Sequence, residues 1–331
     1  MTETVLSGIR ATGRLHFGNF IGAVQNFVKY QDGENRCMYF VADFHTQTTI
    51  SNPDELRGNL VEMVKDYLAA GLDPERSIIY VQSSVPEINE LCWYLSMSTK
   101  LGELQTIPTF KDLARKFPDK VSLGLLTYPV LMAADILGPQ ATLVPVGSDQ
   151  EPNVELARDI AKRFNFTYGE TFVVPEMMDD MVKVVGLDGE KMGKSDADNA
   201  IGMDESIDSV RGRYRRLGIT DVNKVRRGDP GVPAECKSVY PNFEILVESG
   251  AQLQTIAETC RSGERGCADC KNELVDTIGG LLLPFQEKRA ELADKDDYVK
   301  EVLIEGGKKA RAIISETVAE VRDKMGIVRY V

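Results

Sequence analysis

Disulfide scaffolding is excluded first, because six cysteines in 331 residues are too sparse to staple a chain of this length. Histidine is scarcer still, with two residues, so each one draws notice. No proline- or glycine-rich tract is present, which removes fibrous and low-complexity classes. Long apolar runs are missing too. The longest, residues 125–146, is broken by Asp135, Gln140, Pro129, Pro139 and Pro145 and cannot read as a membrane span of roughly 20 apolar residues. Met1 to Gly8 carry no basic segment followed by an apolar one, so no secretory leader is expected and the expected compartment is the cytoplasm. Basic charge is in the minority, with Lys and Arg at 39 against Asp and Glu at 51, a net charge of −12. That balance disfavours adhesion of the whole surface to nucleic acid or an anionic membrane, and neither DNA nor a membrane is expected as a partner. A local basic stripe can still bind RNA.

What remains is a folded globular chain, 43% hydrophobic and 27% charged. At roughly 150 residues per domain its length fits about two domains. Up to about residue 190, short apolar runs alternate with amphipathic segments, the pattern of a parallel α/β sheet. Strands are expected at 5–9, 38–42, 78–82, 142–146 and 172–174. One intervening helix is well punctuated, with Asn52 as N-cap, Pro53 at the first position, Glu55 two residues on and Gly71 as the stop. Beyond residue 196 strand signals fade and a helical region begins. The last segment carries Ala310, Ile313, Ile314, Val318, Val321 and Met325 at helical spacing before Gly326 and is expected to pack back on the body. The expected division is 1–196 for an α/β catalytic domain, 197–300 for a helical domain and 301–331 for the returning helix.

The first strand runs into Arg10-Ala11-Thr12-Gly13-Arg14-Leu15-His16-Phe17-Gly18-Asn19, and a helical pattern follows. A strand, a glycine-containing loop and a helix start can present free backbone N–H groups to an anion, although the glycines can equally serve only to shape a tight turn. Near the end of the α/β half, Gly186-Leu187-Asp188-Gly189-Glu190-Lys191-Met192-Gly193-Lys194-Ser195 puts two lysines and a hydroxyl on a glycine-flanked loop. Cations on a mobile loop suit charge developing on a departing pyrophosphate; a solvated charged loop is the plainer alternative.

His16-Phe17-Gly18-Asn19 resembles the first signature of the class I aminoacyl-tRNA synthetases, and Lys191-Met192-Gly193-Lys194-Ser195 resembles the second, in the right order. Phe17 and Asn19 stand where Ile and His are usual, and Gly193 replaces a Ser, which removes a hydroxyl and loosens the loop. The resemblance implies a Rossmann-type doubly wound parallel sheet with a smaller all-helical domain, ATP with Mg²⁺, a tRNA partner and a homodimer. It makes His16, Asn19, Lys191, Lys194 and Ser195 the catalytic group. Arg10, Ala11, Thr12, Gly18, Gly147, Ser148, Asp149, Val184, Met192 and Gly193 join Asn19, Lys191, Lys194 and Ser195 in holding ATP.

Between the signatures, Tyr128, Met132 and Asp135 are spaced i, i+4 and i+7, one face of a helix. A carboxylate on an apolar face is costly to bury without a hydrogen-bond donor. Either it caps neighbouring backbone, or it waits for a donor from a substrate. The stretch from Tyr128 to Gln150 resembles the tryptophan-specific branch of the family. By that resemblance Asp135 accepts the indole N–H, Met132 packs on the ring, Tyr128 and Gln150 hold the α-amino and carboxylate groups, and Leu6 and His45 line the pocket. His16 and His45 both fall at expected strand ends. Related tyrosine enzymes share both signatures but read the phenol with a different polar pair, for which this chain has no convincing match. A non-catalytic RNA-binding module is the alternative of another class.

Cys37 and Cys92 read as core residues. Cys236, Cys260, Cys267 and Cys270 gather in one polar region that ends in a C-x-x-C, and four such thiols bind a [4Fe–4S] cluster or Zn²⁺. Their arrangement resembles the cluster-binding cysteines of a bacterial subset of the family. The helical domain opens with Arg211, Arg213, Arg215, Arg216, Lys224, Arg226 and Arg227. This stripe is either a phosphate-contacting surface for tRNA or a solvated face paired with acids from elsewhere.

Overall fold

The computed structural model describes residues 3–116, 118–178, 182–193, 198–328 and 330. It falls into two compact units, one of residues 1–13, 26–181 and 295–331, the other of residues 14–25 and 182–294. This division departs from the linear one expected from sequence. The first signature belongs with the helical residues after 182, and the last helix belongs with the sheet.

The first unit holds five parallel strands, β1 (Thr4–Ile9), β2 (Arg36–Val41), β3 (Ser77–Val81), β4 (Leu143–Pro145) and β5 (Glu176–Met178), in the order β3-β2-β1-β4-β5. Leaving β1, the chain turns one way to β2 and later the other way to β4, so a crevice opens at the carboxyl ends of β1 and β4, where doubly wound sheets bind ligands. The first four strands lie within two residues of their expected bounds. The fifth does not. Residues 172–174 are diverted because side chains take their N–H groups: Asn165 accepts from Phe172 at 2.9 Å and Gln140 accepts from Val173 at 2.9 Å. Phe172 itself packs on Phe164, ring centroids 4.9 Å apart, and the ladder resumes at Glu176.

Alternate residues of β2 face opposite layers. Met38 and Phe40 join a core of Leu6, Tyr80, Ala134, Ile314 and Val318. On the other face Tyr39 stacks on Phe27 at 4.5 Å and donates to the Phe27 carbonyl. Asn52 accepts from the Asp54 and Glu55 N–H groups at the start of the helix Pro53–Ala69, and Gly71 has φ +108°, as its stop role requires. The helix Asp296–Met325 ends at Gly326 with φ +73° and packs Ala310, Ile314, Val318 and Val321 into the sheet core. Among the described residues no helix is long and apolar enough to cross a membrane.

Gly306 brings that last helix onto β3 so closely that a Cβ would stand 1.8 Å from the Ile79 carbonyl oxygen. Gly306→Ala is therefore expected to cost about 2 kcal/mol or more through forced separation of helix and strand. Gly58→Ala, on an exposed helical position where a Cβ meets nothing within 4 Å, should instead gain up to about 1 kcal/mol. Urea unfolding midpoints check both; equal effects from the two substitutions would contradict this packing.

Candidate active site

In the first unit the site begins with the helix Leu123–Leu137, started by the Ser122 side chain accepting from the Leu125 N–H. Asp135 on its inner face is only 2% exposed. A neighbouring backbone does not cap it. Gln82 donates from Nε2 to Oδ1 at 2.9 Å and to Oδ2 at 2.8 Å, and His45 Nε2 lies 2.9 Å from Oδ2. Asp135 therefore has two protein partners before any substrate arrives. Burial pushes its carboxyl above the usual range, while the bonds from His45 and Gln82 oppose that rise and Asp43 adds to it.

The donors come from the carboxyl ends of β2 and β3. His45 lies on the short helix Asp43–Thr46, and Gln82 follows β3 directly. Asp43 locks the two segments together by accepting from the Phe44 N–H and the Ser83 N–H, both at 3.0 Å. The Gln82 Oε1 accepts from the Phe44 N–H at 3.2 Å. Neither Gln82 nor Asp43 was singled out from sequence. The available signal was a polar amide at the carboxyl end of a buried strand, on the edge where the other candidates fall.

The His45 ring meets Tyr128 edge-on at 4.6 Å, and the Tyr128 hydroxyl donates to Gln150 Oε1 at 3.4 Å. Asn153 Nδ2 donates to the same oxygen at 3.0 Å. Asp135, His45, Tyr128 and Gln150 are thus brought together, with Met132 half-buried on the same helix and Leu6 buried in β1. Arg10, Asp135 and Asp149 lie close enough to Tyr128 to act on its hydroxyl electrostatically, though its burial dominates and raises the pKa. Ser148 and Asp149 form a 3₁₀ turn after Gly147, whose Cα is covered by the Asp149 carboxylate. A cavity of about 370 Å³ adjoins His45 and Tyr128 and is lined further by Phe44, Asn89, Cys92 and Thr127.

The second unit joins the two signatures. His16 Nδ1 accepts from the Asn19 N–H at 3.2 Å and so caps the short helix Phe17–Asn19. The helix continues as a five-residue π segment, Phe20–Val24, a local widening often found at functional sites. Gly18 N–H points at Met192 Sδ, 3.2 Å away, and a Cβ at Gly18 would press on the His16 ring and on Met192 at 3.0 and 3.1 Å. Val184 accepts from the Met192 N–H at 2.9 Å, and Val185 pairs with Lys191. As far as Met192, therefore, the expected mobile loop is a bonded hairpin. Lys194 and Ser195 lie outside the described residues.

Two asparagines that sequence did not single out hold that hairpin. Asn242 is 1% exposed and clamps both the N–H and the carbonyl of Val185. Asn199 donates to the Lys191 carbonyl at 2.9 Å and lies so close over Gly186 that no side chain fits there.

The expected cradle of free backbone N–H groups is not what these loops offer. The Ala11 N–H donates to Thr46 Oγ1 and the Thr12 N–H to the Arg10 carbonyl. Those of Phe17 and Asn19 are taken by the Ile201 carbonyl and His16, leaving Gly18 with only a weak thioether acceptor. Among the described residues, buried Asn19 Oδ1 has no hydrogen-bond partner.

The four clustered cysteines also lie in the second unit, Cys260 in the helix Gly250–Arg261 and Cys267 and Cys270 at the start of the helix Cys267–Glu291. They are near enough for Cys236 to feel Cys260 and Cys267, and for Cys270 to feel Cys236 and Cys260; burial pushes the Cys270 thiol up to about 12. The all-thiol donor set suits a metal centre, yet among the described residues no three His, Cys, Asp or Glu side chains stand in metal-holding geometry. Cys37 and Cys92 take the core positions expected of them.

The basic stripe divides. Arg211 pairs with Asp276, Arg213 with Glu205 and Arg227 with Asp269, at 2.6, 2.8 and 3.0 Å. Lys224 is buried against the Arg227 and Asp229 carbonyls. Arg215, Arg216 and Arg226 are exposed, and among the described residues no acid pairs with them.

A family model described as class I tRNA synthetases (W and Y) matches residues 2–282. The chain is 39% identical over 328 residues to the tryptophan–tRNA ligase of Thermotoga maritima, covering 98% of this chain and 99% of that one. It is 40% identical over 333 residues to that of Porphyromonas gingivalis, covering 98% and 99%. Among solved structures it is similar to the tryptophanyl-tRNA synthetase of Campylobacter jejuni complexed with ADP and tryptophan. That match has a TM-score of 0.83 and 32% identity and covers 98% and 99% of the two chains.

Burial of Asp135 has a consequence for stability. With its folded pKa raised above the ordinary 3.8, the folded state binds the proton more tightly than the unfolded chain. That contribution is full below the unfolded value and is lost as pH rises through the folded one. Asp135→Asn cannot show this loss, so its stability relative to wild type should improve as pH rises above about 4, read from urea unfolding at each pH. A flat difference, or one of opposite slope, would count against an acid held in this environment.

Proposed function

The chain belongs to the class I tRNA synthetases of the tryptophan and tyrosine group and catalyses the tryptophan–tRNA ligase reaction, in which tryptophan is activated with ATP and joined to its tRNA. We propose that its residues divide this work as follows. Asp135 accepts the indole N–H, Met132 and Leu6 bound the ring, and Tyr128 and Gln150 hold the α-amino and carboxylate groups. The observation that carries this reading is a carboxylate buried on an apolar helix face and held by two polar side chains. Phenylalanine would leave that acceptor unmatched, a penalty of roughly 1–3 kcal/mol or more.

In the first step a tryptophan carboxylate oxygen attacks the α-phosphorus of ATP, and the bond to the pyrophosphate oxygen breaks with its electron pair leaving on pyrophosphate. The attacking group is already ionised at neutral pH, so no general base is needed. Lys191, Lys194 and Ser195 are proposed to stabilise the departing charge, with His16, Asn19, Met192, Gly193 and Val184 shaping the phosphate end. A phosphate oxygen would displace the weak Met192 thioether from the Gly18 N–H. Arg10, Ala11, Thr12, Gly147, Ser148 and Asp149 are proposed for the rest of the nucleotide. Mg²⁺, when present with ATP, would supply charge neutralisation to the triphosphate. In the second step a terminal ribose hydroxyl of the tRNA attacks the activated carbonyl carbon, and AMP leaves.

Residues 197–300 are proposed to carry the tRNA anticodon-binding surface, with Arg215, Arg216 and Arg226 contacting phosphates. Cys236, Cys260, Cys267 and Cys270 are proposed as the seat of a [4Fe–4S] cluster or Zn²⁺, supported by their spacing and mutual proximity. Iron and sulfide analysis of anaerobic protein separates the two. A cytoplasmic homodimer completes the reading; the exposure of Trp93 (65%) and Met97 (59%), four residues apart on the helix Glu87–Met97, supports a partner there.

Pyrophosphate exchange into ATP is expected with tryptophan and not with tyrosine, and Lys191→Ala should slow it by roughly 100-fold. Exchange with tyrosine alone would overturn the substrate assignment. Replacing Arg215, Arg216 and Arg226 together by Ala should weaken tRNA binding and flatten its salt dependence, the slope falling by about 0.7 to 0.9 for each phosphate no longer neutralised. Exchange should be unchanged in that variant. Unaltered tRNA affinity would remove the stripe from the tRNA surface.

A further inference from the structure

Gln82 is fully buried in the sheet unit and has no apolar task there. Its amide is committed at both ends: Oε1 accepts from the Phe44 N–H, and Nε2 straddles both oxygens of Asp135 at 2.9 and 2.8 Å. A carboxylate offers about four acceptor positions, two on each oxygen. Among the described residues, the Oδ2 positions of Asp135 are taken by Gln82 and His45, whereas Oδ1 has Gln82 alone. One acceptor position on Oδ1 is therefore left for a donor from outside the protein.

We propose that Gln82 is a positioning residue for substrate selection: it fixes the rotation of the Asp135 carboxylate so that Oδ1 presents its remaining lone pair to the indole N–H. The proposal rests on Asp135 being the indole acceptor. His45 alone cannot do the same work, since a single contact to Oδ2 leaves the carboxylate free to turn about its Cβ–Cγ bond. The Gln82 amide is in turn fixed by backbone, because Asp43 ties Phe44 to Ser83 through its Oδ1. Gln82 also favours the ionised form of Asp135 against the opposing effect of burial. A carboxyl group that took up a proton could rotate and offer its O–H, and would then no longer reject a ligand lacking an N–H.

The test compares tryptophan with 3-benzothienylalanine, which keeps the ring shape and replaces the N–H by sulfur. In pyrophosphate exchange, Gln82→Met should lower the ratio of kcat/KM for tryptophan to that for the analogue by roughly tenfold or more, the scale of a hydrogen bond to a charged group. The KM for ATP should stay within about twofold. Gln82→Leu should behave alike, and Asp135→Asn is run in parallel. A purely structural role would lower activity toward both amino acids equally and leave their ratio intact; that result overturns the proposal. So does failure of both Gln82 variants to fold. If Asp135→Asn loses the discrimination and the Gln82 variants retain it, Gln82 is excluded while Asp135 keeps its role. If Asp135→Asn retains it, both assignments fall.

Discussion

A carboxyl group placed where water cannot reach it constrains the rest of the sheet unit. An isolated buried carboxylate costs several kcal/mol, so its position persists only where donors are supplied with good geometry. Here the donors come from the ends of two adjacent strands, β2 and β3, whose register pairs Phe40 with Tyr80 and Val41 with Val81. That register brings the segments after Val41 and Val81 side by side, which lets Asp43 tie Phe44 to Ser83. The acid comes from a third element, the helix Leu123–Leu137, whose other residues are almost wholly apolar. Under the proposed reading, such a site would offer an aromatic ring apolar surroundings with one polar point, the combination that separates indole from phenyl.

The phosphate end follows another logic. In the second unit the signatures contact one another through Gly18 and Met192, and most backbone N–H groups of the first signature are already bonded. Under the proposed reading, anion recognition would fall to side chains and to the one N–H held by a thioether. Asn242 and Asn199 keep the second signature in register as far as Met192, so the positions of Lys191 and Val185 derive from residues more than seven places away in the chain.

Sequence reveals local order well and long-range polar partnerships poorly. The cap at Asn52, the stops at Gly71 and Gly326 and the first four strands are legible because each depends on neighbours in the chain. The shift of the fifth strand is not, because Asn165 and Gln140 intercept its N–H groups from other elements. Asp135 stood out as a lone acid on an apolar face, and His45 as one histidine of two. Gln82, Asp43, Asn199 and Asn242 carry no periodic signature; each is one polar residue whose partner is fixed only by the fold. The basic stripe illustrates both sides, since its charge is visible in sequence while the acids that pair with Arg211 and Arg227, Asp276 and Asp269, lie far along the chain. The grouping of residues 14–25 with 182–294, and of 295–331 with the sheet, likewise depends on contacts between distant parts of the chain.

The central claim is that the buried Asp135 carboxylate takes the indole N–H of tryptophan. A crystal structure of the protein with tryptophan bound tests it most directly. The account predicts indole nitrogen within about 3 Å of Asp135 Oδ1, with the bonds from Gln82 and His45 retained. An indole N–H directed at any other group, or an Asp135 carboxylate turned away from the ring, would contradict it.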